Sequence, residues 1–300
     1  MLSFHKPTIE DKGWVDKCLK HANSFNCEYT FGNVFIWSTA YSTQICKYKD
    51  FFICKWGIGN DIQYSLPLGE GDFTDAVSQI IDDAKRSGVN PKIYGITEGY
   101  LPLMQEAFTG QFEYKYDSGF NDYVYSTEKM ATLSGKKYHG KRNHITNFKK
   151  NNPDWSFEII NKDNIDECIA LHTSWIAEKA DNAEDDEDYS LEFEAVLTAF
   201  QNYDALGFVG GLIRVNSKVI AYTMGEPQVS GHCFVTHFEK APAEIQGAYP
   251  IINQEFTKNC LMNYEFVNRE EDLGIEGLRK AKQSYNPELL LEKCVAVYND

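Results

Sequence analysis

The sequence has no long apolar run. Its richest stretch, near residues 34–41, is too short and too mixed to span a bilayer. Its first residues, Met1-Leu2-Ser3-Phe4-His5-Lys6, lack the apolar core of a secretory leader, so none is predicted. None of the eight cysteines forms a C-x-x-C pair. A chain of 300 residues builds its own core without disulfide staples. The cysteines are therefore expected to be scattered, reduced and mostly buried thiols of a cytoplasmic protein. Positive charge is scarce as well: 29 Lys and Arg stand against 44 Asp and Glu, net −15. That shortage excludes a nucleic-acid coat and predicts no DNA partner, because phosphate binding needs concentrated cations. Metal-ligand spacing is missing too. His232 and His237 would point to opposite faces of a strand, and His139 and His144 have no Cys or acidic cluster beside them, so no metal is expected.

The composition that remains, 43% hydrophobic and 24% charged, is globular and rules out a disordered, collagen-like or coiled-coil chain. Its length fits two domains or one large one. Charge is unevenly spread. Residues 1–125 hold 11 basic and 16 acidic side chains, residues 126–152 hold 7 and 1, and residues 153–300 hold 11 and 27. A basic segment between two acidic halves reads as a linker. This predicts a first domain over 1–128, a basic linker helix over 129–152 and a second domain over 153–300.

Each half reads as mixed α and β. In the first, a helix is predicted over 12–20, then two strands over 43–56 turning at Lys49-Asp50, and a strand over 62–66. Apolar residues at 73, 76, 77, 80, 81 and 84 predict an amphipathic helix over 73–87 that Gly88 stops. Strands follow at 92–96, 112–116 and 123–125, with a helix over 101–108. The second half gives a strand at 155–160 and helices over 163–180 and 191–201. A hairpin turns at Asn216-Ser217 between strands 207–215 and 219–225, and a third strand runs over 232–239. Then come a helix over 246–260, a strand at 264–268, a helix over 275–284 and a final strand at 291–298. The same order occurs twice, which predicts two copies of one α+β (mixed α/β) fold with mixed central sheets.

Two stretches are more specific. One is Leu133-Ser134-Gly135-Lys136-Lys137-Tyr138-His139, leading into Lys141-Arg142-Asn143-His144-Ile145 and Phe148-Lys149-Lys150. The other is Asn268-Arg269-Glu270-Glu271-Asp272-Leu273-Gly274, then Gly277-Leu278-Arg279 and Ala281-Lys282-Gln283-Ser284-Tyr285-Asn286-Pro287. With them the chain resembles the bacterial family named for the C-terminal domain of phosphatidylglycerol lysyltransferase, and is similar in architecture to the Fem-type aminoacyltransferases. The resemblance implies two GNAT-like (N-acetyltransferase) domains joined by a basic helix. It also implies an acyl or aminoacyl transfer to an amine or hydroxyl, with the second domain catalytic.

On that resemblance Glu239, on the strand with Val235 and His237, is the candidate general base, with His237 as an orienting neighbour. Tyr285 stands near the position of a GNAT general acid. The helix opening at Gly247-Ala248 corresponds to the loop that holds coenzyme A phosphates on backbone N–H groups. Glu244 and Tyr249 depart from that pattern. In the basic segment, Arg142 and Lys149 share a helical face with Tyr138 and Ile145, and Lys137 and Lys141 flank it. These four cations are candidate holders of a phosphate-bearing donor, with Arg269, Arg279 and Lys282 as a second anion site. The expected donor is an aminoacyl-tRNA acceptor end or an acyl-CoA, and the acceptor is a small molecule or peptide; no other cofactor is called for. The acidic run 178–194 carries nine carboxylates and one lysine, which would attract a cationic amine and repel an anionic membrane. The alternative is a binding or sensor module that kept the fold and lost the chemistry.

Overall fold

The computed structural model describes residues 1–22, 24–182 and 190–299; residues 183–189 of the acidic run lie outside them. The strands are β1 (Gln44–Tyr48), β2 (Phe51–Trp56), β3 (Gln63–Ser65), β4 (Leu68–Gly69), β5 (Lys92–Thr97), β6 (Phe112–Tyr116), β7 (Asp122–Ser126), β8 (Ser156–Ile159), β9 (Val209–Val215), β10 (Lys218–Pro227), β11 (Cys233–Lys240), β12 (Phe266–Asn268), β13 (Leu289–Leu291) and β14 (Lys293–Tyr298). The helices are α1 (Lys12–Leu19), α2 (Phe31–Ile36), α3 (Phe73–Arg86), α4 (Leu101–Ala107), α5 (Thr127–Thr132), α6 (His139–Asn151), α7 (Ile165–Asn182), α8 (Ser190–Gln201), α9 (Tyr203–Leu206), α10 (Ala248–Phe256) and α11 (Glu276–Gln283). Among the described residues no helix is long and apolar enough to cross a membrane.

Local chemistry sets most of these elements. In α3 the apolar stripe buries Ala76, Val77, Ile80, Ile81 and Ala84, the Asp72 carboxylate caps the N-terminus by accepting from the Asp75 N–H, and Gly88 leaves the helix at positive φ. The β9–β10 hairpin turns on Asn216 and Ser217, both at positive φ, which matches the right-handed twist of the flanking strands. All eight cysteines are free, seven of them buried.

The chain forms two units: Met1–Tyr123 with Glu270–Arg279 and Leu290–Asp300, and Val124–Arg269 with Lys280–Leu289. This departs from the contiguous domains expected from charge. Strand β14, expected to close the second domain, runs antiparallel between β5 and β6 in the first sheet, where Cys294 and Ala296 are buried. Residues Val124–Ser126 of β7, expected to close the first domain, pair antiparallel with β12 in the second sheet. The basic helix α6 belongs to the second unit. Each half thus lends a strand to the other's sheet, and strand period alone does not say which partner a strand takes.

The first sheet has the order β1-β2-β3-β5-β14-β6, with β4 against β2; the second is β13-β7-β12-β11-β10-β9-β8. In the second, β11 and β12 are parallel but share only the rungs Cys233↔Phe266, Phe234↔Val267 and Val235↔Asn268, while β11 continues to Lys240. On its other side β11 carries a bulge: Thr236 faces Gly225 and Phe238 faces Met224, which leaves His237 as the extra residue. Gly225 permits this close pairing, since a Cβ there would meet the Val235 carbonyl oxygen at 1.9 Å.

Candidate functional site

The site lies in the second unit, past the carboxyl ends of the parallel pair, where open sheets commonly take ligands. Arg269 follows directly on β12, and Glu239 stands near the end of β11. Arg269 Nη2 is 2.7 Å from Glu239 Oε1, and Asn253 Nδ2 of α10 donates to Glu239 Oε2 at 3.1 Å. The guanidinium carbon lies 5.1 Å from the Tyr285 ring centroid and 5.8 Å from that of Tyr125. Lys141 of α6 sets its Nζ 4.0 Å from the Tyr285 centroid, so two cations stack on one aromatic wall. Burial, then the neighbouring Arg269, push the Lys141 ammonium down to about 8, against the pull of Glu239.

Hydrogen bonds hold this wall. Lys282 Nζ donates to the Arg269 carbonyl at 2.6 Å, Tyr125 OH donates to the Lys282 carbonyl at 2.8 Å, and Tyr138 OH donates to the Tyr285 carbonyl at 3.0 Å. At this site two buried atoms have no partner among the described residues: Arg269 Nη1 and Asn253 Oδ1. Buried polar atoms are nearly always paired, so an idle donor and an idle acceptor beside one carboxylate set this place apart.

Five residues singled out in the sequence therefore meet: Glu239, Arg269, Lys141, Lys282 and Tyr285. The others have different settings. His237 is the bulged residue, so the strict alternation that put it on one face with Glu239 does not hold. Its buried ring lies 5.3 Å from Phe208, and its Nε2 is 3.1 Å from Glu226 Oε1. Tyr285 supplies a ring face to two cations, and burial pushes its phenol up, which suits it poorly to proton donation. Arg142 of the basic helix donates to the carbonyls of Leu133 and Gly135, closing the end of α5. Lys149 pairs with Glu255 at 3.1 Å and lies over Trp155. Lys137 is exposed. The four cations of the basic segment thus divide, and Lys141 alone of them is seated at Tyr285. Arg279 belongs to the first unit, where it grips Asp272 through two bonds of 2.7 and 3.0 Å; this pairing holds the Asp272 carboxyl at about 2.

Gly247 and Ala248 also differ from a phosphate cradle. Gly247 has φ +87°, and a Cβ there would meet the His144 carbonyl oxygen at 2.7 Å, so the glycine serves close packing of α10 on α6. The Ala248 N–H donates to the Ile245 carbonyl at 3.1 Å, and Pro250 has no N–H to give. Asn253 went unnoticed in the sequence. Its signal is a polar residue between the apolar Ile251, Ile252 and Phe256 on a buried helix face.

A second polar group lies in the core of this unit. The His172 ring stacks between Trp175 and Phe193, and its Nδ1 is 3.0 Å from Tyr222 OH. Burial pushes this histidine from 6.5 down to about 4. A depressed imidazole stabilises the fold above its unfolded value, and that stability is lost as pH falls from about 6.5 to about 4. The loss is about 3 kcal/mol at most. Urea unfolding at pH 7 and pH 4.5 reads it. His172→Gln should flatten the slope, and a variant with the full wild-type slope would exclude this histidine as its source.

A family model described as phosphatidylglycerol lysyltransferase, C-terminal, matches residues 20–297. A conserved protein of unknown function from Bacteroides thetaiotaomicron is 36% identical, with all of both chains covered and a TM-score of 0.94. The C-terminal domain of an Agrobacterium fabrum protein assigned as a lysylphosphatidylglycerol synthetase is 16% identical, with 97% of this chain and 92% of that chain covered and a TM-score of 0.69. A tandem GNAT protein from the clavulanic acid biosynthesis pathway shares the fold at 8% identity and a TM-score of 0.50, with 100% and 99% covered. An uncharacterized protein of Mycoplasmoides gallisepticum is 24% identical over 182 residues, 57% of this chain and 54% of that one. The chain spans about half the length of this curated relative. The two mixed sheets are thus those of a tandem GNAT fold.

Proposed function

The chain belongs to the phosphatidylglycerol lysyltransferase C-terminal family, and from that premise we propose that it moves an aminoacyl group from a charged tRNA to an amine or hydroxyl acceptor at the Glu239–Arg269 site. The observation that carries this reading is the pair of cations, Arg269 and Lys141, stacked on Tyr285 beside a single carboxylate, with Arg269 Nη1 and Asn253 Oδ1 idle. The acceptor nitrogen or oxygen attacks the ester carbonyl and gives its proton to Glu239. Arg269 Nη1 donates to the oxyanion that develops. Lys141, whose ammonium is pushed down to about 8, protonates the departing ribose oxygen and is restored by solvent. A tRNA donor is favoured over acyl-CoA because the opening of α10 has Ala248 N–H already bonded, Gly247 packed and Pro250 without a donor.

The test is a titration of the purified protein with lysyl-tRNA and with acetyl-CoA, repeated across salt. Lysyl-tRNA should bind, with a log–log salt slope of roughly −3 to −5 for about five or six phosphate contacts. Binding of acetyl-CoA alone would move the donor assignment to acyl-CoA. A binding module is the second reading. It is favoured by the engagement of both Glu239 oxygens, by Arg269 and Asn253. Ligand binding without turnover over a broad donor panel would establish it.

A further inference from the structure

The second unit holds an open cavity of about 470 Å³ that the transfer chemistry does not use. It lies where β12 begins, at Phe266, whereas Arg269 follows the other end of that strand. Backbone bonds tie its walls together. Ser126 of β7 stands opposite Phe266, and the Thr127 N–H donates to the Glu265 carbonyl at 3.1 Å. The Glu265 and Phe266 N–H groups both donate to the His232 carbonyl, at 2.9 and 3.1 Å. The Tyr264 ring is anchored too, its centroid 5.5 Å from that of the buried Phe234. The cavity is therefore preformed, as sites for small ligands usually are.

Its lining carries unanswered negative charge. Lys129, the cation of the lining, pairs with Glu288. Glu128 and Glu265 are exposed, and their carboxylates have no partner among the described residues. A separate observation concerns Thr127. It lines the same cavity, is 2% exposed, and its hydroxyl has no partner among the described residues. Such an idle hydroxyl is uncommon, and it can accept from an N–H donor in the cavity. Tyr264, Phe266 and Met262 give the lining an aromatic and apolar side.

We propose that this cavity binds an organic cation, an ammonium or guanidinium group on a short apolar stem, with its N–H groups toward Glu128 and Glu265 and its stem on Tyr264, Phe266 and Met262. Two unpaired carboxylates, on a lining whose lysine is already engaged, call for positive charge. Aromatic rings and a thioether suit an organic cation and its alkyl stem. A bare metal ion fits less well. Among the described residues only Cys27, Asp122 and Glu271 bring three ligand atoms within 4.8 Å of one another. Glu128, Glu265 and Glu288 are thus spread too widely to close on one ion, and a larger cation spans them. A volume of about 470 Å³ takes such a group whole. The site is independent of Glu239 and of the transfer reading.

The experiment is calorimetric titration of the full chain with n-butylammonium and with n-butylguanidinium, beside n-butanol as the neutral isostere. A cation should bind saturably, and more weakly as salt rises, and the alcohol should not bind. Glu128→Gln combined with Glu265→Gln should weaken the cation by about tenfold or more, the size of one lost charge-assisted bond. Both side chains are exposed, so the double variant keeps the fold. Glu239→Gln should leave the affinity unchanged. N-acetylarginine amide separates two sources of the group, and the proposal holds with either: binding tighter than that of n-butylguanidinium assigns a peptide side chain, and weaker binding a free small molecule. No saturable binding of either cation, equal binding of the alcohol, wild-type affinity in the double variant, or loss of binding in Glu239→Gln would each overturn the proposal. The comparison of cation with alcohol needs no variant, so a misfolded substitution does not shelter it.

Discussion

Replacing Glu239 by Gln should lower kcat by about 10²- to 10⁴-fold, the range for loss of a general base. The amide keeps the size of the carboxylate and an oxygen for Asn253 Nδ2, now 3.1 Å away. It cannot take a proton from the acceptor. Donor affinity should stay within about twofold, since Glu239 is assigned to the proton and not to the phosphates. The change in turnover against affinity separates this role from a structural one. The ion pair with Arg269 is mostly buried, with side-chain exposures of 14% and 10%, so its removal costs stability too. Activity must therefore be read well below the melting temperature. Turnover at the wild-type rate in a folded Glu239→Gln protein would remove Glu239 from the chemistry. Arg269→Lys is the companion variant: it keeps a charge, loses the second nitrogen, and should lower kcat with little change in donor affinity.

Lys293→Met should destabilise the protein by about 3–5 kcal/mol, the cost of breaking a buried ion pair by removing one partner. The Lys293 side chain is 4% exposed and that of Asp122 is fully buried. Without the ammonium, Asp122 and Glu271 lose the cation that both face. Methionine preserves the aliphatic stem, so lost packing contributes little. The strand makes the effect long-range. Lys293 opens β14, which lies between β5 and β6 of the first sheet, so a weakened Lys293 loosens the strand that joins them. Chemical denaturation reads the loss as a lower midpoint. Lys293→Met combined with Asp122→Asn should recover part of it, because the double variant removes the orphaned charge along with its partner. Additive losses in the double variant would show that the pair is not coupled.

Much of this protein is legible residue by residue. The helix α3, the β9–β10 hairpin and the strand that carries Glu239 all follow from periodicity, capping and turn chemistry over short spans. The site is legible in part. The family resemblance pointed to Glu239, and Arg269, Lys141 and Lys282 were singled out as cations grouped in their segments. The sequence misdirected Arg142 and Lys149, because a helical wheel shows which face a cation shares but not which carbonyl or carboxylate lies opposite. It misplaced His237 because a bulge, set by how β11 meets β10, breaks the alternation that a lone strand obeys.

The sequence by itself determined the order and type of the elements and the presence of two similar α+β halves, since helix and strand periods are properties of a few neighbouring residues. Only the tertiary structure decided that β7 and β14 exchange sheets, that Asn253 reaches Glu239, and that Lys293 answers Asp122 across 171 positions. Those choices rest on pairings between distant segments. Their energies depend on burial and on the partner met, and neither is written in local order.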